Sequence, residues 1–310
     1  MNLRPDNFDN FIGQAQAVGL LKVKIKAALA RGESLGHLLL LGPAGLGKTT
    51  LAKITAEHMG GRLLDTAGRS LGSPTELHRV IMSIQAGDIL FIDEIHRLNE
   101  PCQEVLFRAM EDGETSYTIG EGENARIVPV KLPPFTLIGA TNMGGQLTPA
   151  FQRRFVHQLH LDYYSVPELE LIVQSKAIKL GLVLDGDGIH RIASVSRGEA
   201  FTAERIMLNL RDFAQARGTD TMDPDMISHC LHLLGISALG VTQLQVKLLE
   251  AVRDAGSLSL ATIGHMLGED PRVIAEIAEP YLMRLGLLDR TSKGRIITER
   301  GAEYLAGGLR

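Results

Sequence analysis

Gly42-Pro43-Ala44-Gly45-Leu46-Gly47-Lys48-Thr49 matches G-x-x-x-x-G-K-[ST]. It follows the apolar run His37 to Leu41 and precedes a helical pattern from Thr50 to His58. Strand, Gly-rich loop and helix in that order make a phosphate-binding loop. The glycines let backbone N–H groups wrap phosphates, Lys48 meets the β and γ phosphates, and Thr49 supplies a magnesium ligand. Gly42, Gly45, Gly47, Lys48, Thr49 and Thr50 are therefore the expected contacts for ATP with Mg2+.

Outward from this loop, short apolar runs alternate with helical patterns: Arg62 to Asp65, Asp88 to Ile92, Phe135 to Ala140 and His157 to Leu161. Buried strands separated by helices indicate an α/β domain with a parallel sheet, over residues 1–164. From Ser165 the periodicity is helical, with segments near Pro167 to Leu180, Gly188 to Ser196, Thr202 to Ala216 and Pro224 to Leu234. This reads as a small helical domain over 165–237. After it, helices are expected near Thr242 to Ala255, Leu260 to Leu267 and Pro271 to Leu285, followed by two strands around the turn Thr291-Ser-Lys-Gly294. Three helices and a hairpin suggest a winged-helix domain over 238–310.

Composition narrows the class. With 310 residues, 45% of them hydrophobic, the chain can bury a large core in two or three domains. No apolar run approaches a membrane span and the N-terminus is polar, so a soluble protein is expected. Cys102 and Cys230 lie far apart without Cys-x-x-Cys spacing, which fits neither zinc nor a disulfide framework and suits the cytoplasm. A net charge of −4 argues against blanket affinity for nucleic acid, so any DNA contact requires a local basic patch.

The strand Ile89 to Ile92 ends in Asp93-Glu94-Ile95-His96. A carboxylate at the C-terminal end of a parallel strand points into the nucleotide crevice. Asp93 is suited to hold magnesium and Glu94 to polarise an attacking water. His96 reads as a structural or coupling residue. Asn142, after the strand ending in Thr141, brings an amide to the same crevice, where it could orient the water or touch the γ phosphate. Its other reading is an Asn chosen for the Asn-Met-Gly-Gly turn. Arg153 and Arg154 precede the last strand, placed either to reach a neighbouring subunit's nucleotide or to form surface ion pairs.

Taken with the loop and the acidic box, Ala109-Met-Glu-Asp112, Leu132-Pro-Pro-Phe-Thr-Leu-Ile-Gly-Ala-Thr141, Glu279-Pro-Tyr-Leu282 and Arg290-Thr-Ser-Lys-Gly-Arg295 closely resemble the RuvB family of Holliday-junction branch-migration motors. The resemblance runs nearly from end to end. It implies an AAA+ P-loop domain, a helical lid and a winged helix, assembled as an oligomer, a hexamer by the family's pattern, around duplex or four-way junction DNA. It further implies ATP hydrolysis coupled to translocation, beside a RuvA-like junction-binding partner. By position, Arg154 resembles the family's arginine finger, and Glu111 and Asp112 its nucleotide-contacting turn. Tyr164 resembles an aromatic at the nucleotide, while Leu3, Arg4 and Ile12 fall in segments resembling its base-binding N-terminus.

Asn142 stands where the family more often has Thr, although Asn is common there in other AAA+ proteins, and two further positions depart from the family's pattern. Phe201 stands where the lid carries a nucleotide-sensing arginine, and phenylalanine cannot donate a hydrogen bond to phosphate. Arg205, four residues on, shares its helical face. Gln152 replaces a basic residue usual beside the finger. These departures support an alternative, a RuvB-like ATP-binding DNA scaffold or regulator with weak hydrolysis. A clamp loader or replication initiator is a third reading, which nothing at the C-terminus favours.

The expected DNA patch is the wing, where Arg290, Lys293 and Arg295 would hold backbone phosphates without reading sequence. The preceding helix carries Glu276 and Glu279, which phosphates would repel, so deep major-groove reading is not expected. Thr115 to Ile119 and Arg126 to Val130 flank Gly120-Glu-Gly-Glu-Asn124 as a hairpin with alternating apolar residues. By the family's pattern this is the partner-binding element, with Tyr117, Ile119 and Val128 as candidates.

Overall fold

The computed structural model describes residues 3–119 and 126–307. The chain forms two compact units, Met1–Tyr164 and Ser165–Arg310.

The first unit contains strands β1 (Leu38–Leu41), β2 (Leu63–Ala67), β3 (Ile89–Asp93), β4 (Glu114–Ile119), β5 (Arg126–Lys131), β6 (Thr136–Thr141) and β7 (His157–His160). Its helices are α1 (Ala15–Arg31), α2 (Lys48–Met59), α3 (Pro74–Ile81), α4 (Glu100–Glu111) and α5 (Pro149–Gln152). Five strands form a parallel sheet in the order β2-β3-β6-β1-β7. Every residue of β1 and of β6 is buried, as expected of parallel strands covered on both faces. One face carries Leu39, Leu77, Ile81, Leu90, Ile92, Leu106 and Phe155 in a single apolar cluster. β4 and β5 leave the sheet as an antiparallel hairpin pairing Tyr117 with Val128. Its expected turn, Gly120 to Asn124, lies outside the described residues.

The second unit begins at a capping box. Ser165 accepts the Glu168 N–H while the Glu168 carboxylate accepts the Ser165 N–H, starting α6 (Val166–Leu180). α7 (Gly186–Val195), α8 (Ala200–Ala216) and α9 (Pro224–Leu233) follow, with β8 (Val183–Leu184) and β9 (Thr221–Met222) paired in parallel. α10 (Gln243–Ala255) and α11 (Leu260–Leu267) then pack on Leu282, Leu287 and Leu288.

The expected helix over Pro271 to Leu285 is broken into α12 (Pro271–Val273), a π-helical turn (Ile274–Ala278) and α13 (Glu279–Arg284). Pro280 has no N–H to continue the α-helical ladder. At the end of the π turn the Ala278 carbonyl also accepts from the buried Gln245 side-chain amide at 2.9 Å, which ties this segment to α10. The hairpin β10 (Leu288–Thr291) and β11 (Gly294–Ile297) and the helix α14 (Glu299–Leu305) complete the unit.

Candidate active site

The loop after β1 takes a shape only glycine permits at two places. Gly42 has φ 143°, and a Cβ there would lie 2.3 Å from the Leu161 carbonyl oxygen. Gly47 has φ 97°, and a Cβ would meet the Phe11 ring at 2.9 Å. Gly42 N–H donates to the Thr141 carbonyl at 3.1 Å, tying the start of the loop to β6. Gly47 caps α2, whose first turn carries no acidic residue, so the positive end of the helix dipole faces the loop uncompensated.

Lys48 is buried and curls back over the loop, donating to the Gly42 and Pro43 carbonyls at 2.7 Å each. Burial pushes its pKa below the usual lysine range, and the nearby Asp93 charge opposes that shift. An ammonium held among loop carbonyls beside a carboxylate fits a triphosphate, whose charge would replace the lost solvation. Thr49 and Asp93 are half-buried beside it. Among the described residues, no three or more His, Cys, Asp or Glu side chains cluster to hold a metal. Magnesium suits this arrangement, because it is commonly held by one or two protein oxygens together with substrate phosphates.

Glu94 has φ 49°, in the left-handed region, which costs a non-glycine residue about 1–3 kcal/mol. Three contacts accompany that conformation. The Glu94 N–H donates to Asp93 Oδ1 at 2.9 Å. Gly68 leaves room for the Glu94 carbonyl, which a Cβ would approach to 2.4 Å. Arg97 Nε pairs with Glu94 Oε2 at 3.2 Å. Nothing in the sequence marks Arg97 as this partner, because the pair forms across the left-handed turn at Glu94 and not along an α-helix. His96 Nδ1 lies 2.9 Å from Thr141 Oγ1, which also accepts the Met143 N–H at 2.9 Å. The ends of β3 and β6 are thereby joined beside Asn142, an exposed residue.

The N-terminal segment lies against the loop. Phe11 packs on Gly47, and the Gln14 amide exchanges two hydrogen bonds with the Asp162 backbone, at 2.6 and 3.2 Å. Tyr164 is buried and donates to the Leu46 carbonyl at 3.0 Å. Leu3 is buried, Ile12 half-buried and Arg4 exposed. Phe11 and Gln14 lie in the segment that resembles the family's base-binding N-terminus, and each acts through a partner distant in sequence.

Arg154 Nη1 pairs with Glu111 Oε1 at 2.7 Å, and its guanidinium lies 3.8 Å from the Phe107 ring centroid. Asp112 is exposed. Gln152 donates to the Gly144 and Leu147 carbonyls at 2.8 and 3.2 Å, tying α5 to the loop after Asn142.

In the second unit, Arg290 and Lys293 are exposed on the wing, but Arg295 is not the phosphate contact expected for it. Its side chain is buried, and Nε and Nη2 both bond the buried Glu279 carboxylate, at 2.5 and 3.1 Å. The strand alternation turns Arg295 into the domain while Glu279 turns to meet it. Glu279 is therefore neutralised inside the fold and does not face DNA as a repulsive charge. Phe201 is 59% exposed near the start of α8, and Arg205, on the same face, is exposed too. Val128 is 39% exposed on β5, and Tyr117 and Ile119 lie on β4.

Three family models match in succession: the Holliday junction DNA helicase RuvB P-loop domain over residues 3–161, the RuvB AAA lid domain over 164–237, and the RuvB C-terminal winged helix domain over 238–306. The chain is 40% identical over 307 residues to the Holliday junction branch migration complex subunit RuvB of Ligilactobacillus salivarius, covering 98% of this chain and 91% of that one. It is 38% identical to the Fusobacterium nucleatum subunit, with 98% and 92% covered. The solved Thermotoga maritima RuvB Holliday junction branch migration motor superposes with a TM-score of 0.88 at 34% identity, over 98% of both chains.

Proposed function

The chain belongs to the RuvB family of Holliday-junction branch-migration ATPases, and we propose that it drives junction DNA with a magnesium-dependent hydrolytic site built from Lys48, Thr49, Asp93 and Glu94. The observation that carries the proposal is the buried Lys48 ammonium, held in the glycine loop beside Asp93 and in need of an anion. Thr49 and Asp93 would hold magnesium, which when bound supplies charge neutralisation to the phosphates. Glu94 takes the proton of the attacking water, and Asn142 orients that water or senses the γ phosphate. Gly42, Gly45, Gly47 and Thr50 cradle the phosphates, while Leu3, Arg4, Ile12 and Tyr164 bound the base and ribose. Arg154 serves the site of an adjacent copy in a homo-oligomer, as a hexamer would require.

The family-model boundaries support a division of the chain at residues 164 and 237. Arg290 and Lys293 form the DNA-phosphate contacts of the wing. Val128, with Tyr117 and Ile119, marks the hairpin as the dock for a RuvA-like protein. No helix among the described residues is long and apolar enough to cross a membrane. The similarity to RuvB subunits supports action on cytoplasmic DNA.

The test is migration of a synthetic four-way junction by the full chain with magnesium, ATP and the junction-binding partner. The parent is expected to move the junction. Glu94→Gln should still bind nucleotide but lose hydrolysis by at least about a hundredfold, as removal of a general base does. A parent that moves no junction with its partner present would sink the motor reading. The scaffold reading, favoured by the exposed Phe201, predicts slow turnover and little loss of function in Glu94→Gln.

A further inference from the structure

Arg154 projects from the end of α5 onto the last two turns of α4. There Phe107 and Glu111, four residues apart and so on one face of the helix, take its guanidinium from two sides. The ring lies under the cation at 3.8 Å and the carboxylate holds Nη1 at 2.7 Å. Nε is buried without a hydrogen-bond partner among the described residues. A buried donor left open is uncommon, and here it sits on a guanidinium otherwise held in place.

The strength of this arrangement decides what it is for. Arg154 and Glu111 side chains are 33% and 43% exposed, and an ion pair that open to solvent adds little to stability. A cation over an aromatic ring at such a site is similarly modest. Direction is what these contacts supply. A free arginine has many rotamers, and ordering it only when a phosphate arrives would cost entropy at the moment of reaction.

We propose that Phe107 and Glu111 are positioning residues that hold Arg154 for a neighbouring subunit's nucleotide, acting through the arginine and not on the nucleotide of their own subunit. The inference rests on the reading of Arg154 as acting between subunits. It reassigns Glu111, expected by resemblance to touch nucleotide, to the seat of the arginine.

Mixed oligomers of the full chain test it. A donor subunit carries Glu94→Gln and keeps Arg154; an acceptor carries Arg154→Ala and keeps Glu94. Hydrolysis in the mixture then reports donor arginines at acceptor nucleotides. Phe107→Leu placed on the donor is expected to lower kcat roughly threefold to tenfold with KM for ATP within about twofold, in line with the modest size of such contacts. The same change on the acceptor should leave the mixture unaltered. Glu111→Gln on the donor should give the same fall in kcat without a change in KM, and it keeps the test open if Phe107→Leu disturbs packing. Equal losses on donor and acceptor, a loss expressed in KM, or no loss from either variant on the donor would overturn the proposal. A mixture no more active than its separate components would instead refute action of Arg154 between subunits, and the inference with it.

Discussion

Two arginines of the wing, five residues apart in sequence, have opposite fates. Arg290 stands in solvent, whereas Arg295 is spent on Glu279 inside the domain. Breaking a buried pair leaves an uncompensated charge, so Arg295→Ala should destabilise the winged helix by about 3–5 kcal/mol. Lys293→Ala, at the exposed tip, should change stability by less than about 0.5 kcal/mol. It should weaken duplex binding uniformly across sequences and reduce the salt dependence by about one phosphate contact. Urea melts and salt titrations of binding check both arms. Equal stability loss in the two variants would refute this division of labour. The pattern of basic residues was legible in sequence. Which of them faced outward was not, because the two-residue alternation of a strand fixes faces only relative to a core.

At the scale of elements, the sheet is held to its neighbours by a neutral histidine. His37, just before β1, accepts the Leu137 N–H on Nδ1 at 2.9 Å, so the proton resides on Nε2, which faces the Met110 carbonyl at 3.3 Å. Burial lowers its pKa below 6.5, ahead of the opposing effect of that carbonyl. The folded state thus binds fewer protons than the unfolded one at mildly acidic pH. Stability should be intact above about pH 6.5 and fall as the pH drops toward the depressed value. The melting temperature of the parent should decline from pH 7.5 to pH 5.5, and His37→Gln should flatten that decline; a parallel decline in both would remove His37 as the cause. The strands β1, β3 and β6 were readable as apolar runs because β1 and β6 are buried along their length and β3 is buried up to Asp93. The π turn before Pro280 was not, since the segment is tied by the Ala278 carbonyl to Gln245 on another helix.

At the scale of the whole molecule, the second unit is clamped across its helical and winged-helix parts. Arg197, itself at φ 61°, donates from Nε to the Gly240 carbonyl at 2.8 Å. Its guanidinium and that of Arg284 lie 4.8 and 5.0 Å from the Tyr281 ring centroid. Tyr281 donates to the Leu239 carbonyl at 2.5 Å, and Arg284 donates to the Arg197 carbonyl. Tyr281→Phe should cost about 1 kcal/mol through the lost hydrogen bond. Tyr281→Ala should also turn one unfolding transition of Ser165–Arg310 into two, seen as separate hydrogen-exchange protection for α6 to α9 and for α10 to α14. A single transition in that variant would show that the clamp does not join the parts.

The sequence by itself determined the phosphate loop, the acidic box, the strands of the parallel sheet, and the family. These depend on near neighbours in the chain and on periodicities of two or 3.6 residues. Tertiary structure alone decided that Arg295 is buried, that Arg97 pairs with Glu94, and that Arg154 rests on Phe107 and Glu111. The physical reason is that the partners of a charged side chain depend on which surfaces meet after folding, and most such partners are remote in sequence. Glycine at the loop belongs to both descriptions. Its spacing announced the phosphate site, while the contact forbidding any side chain at Gly42 comes from Leu161, at the end of the neighbouring strand β7.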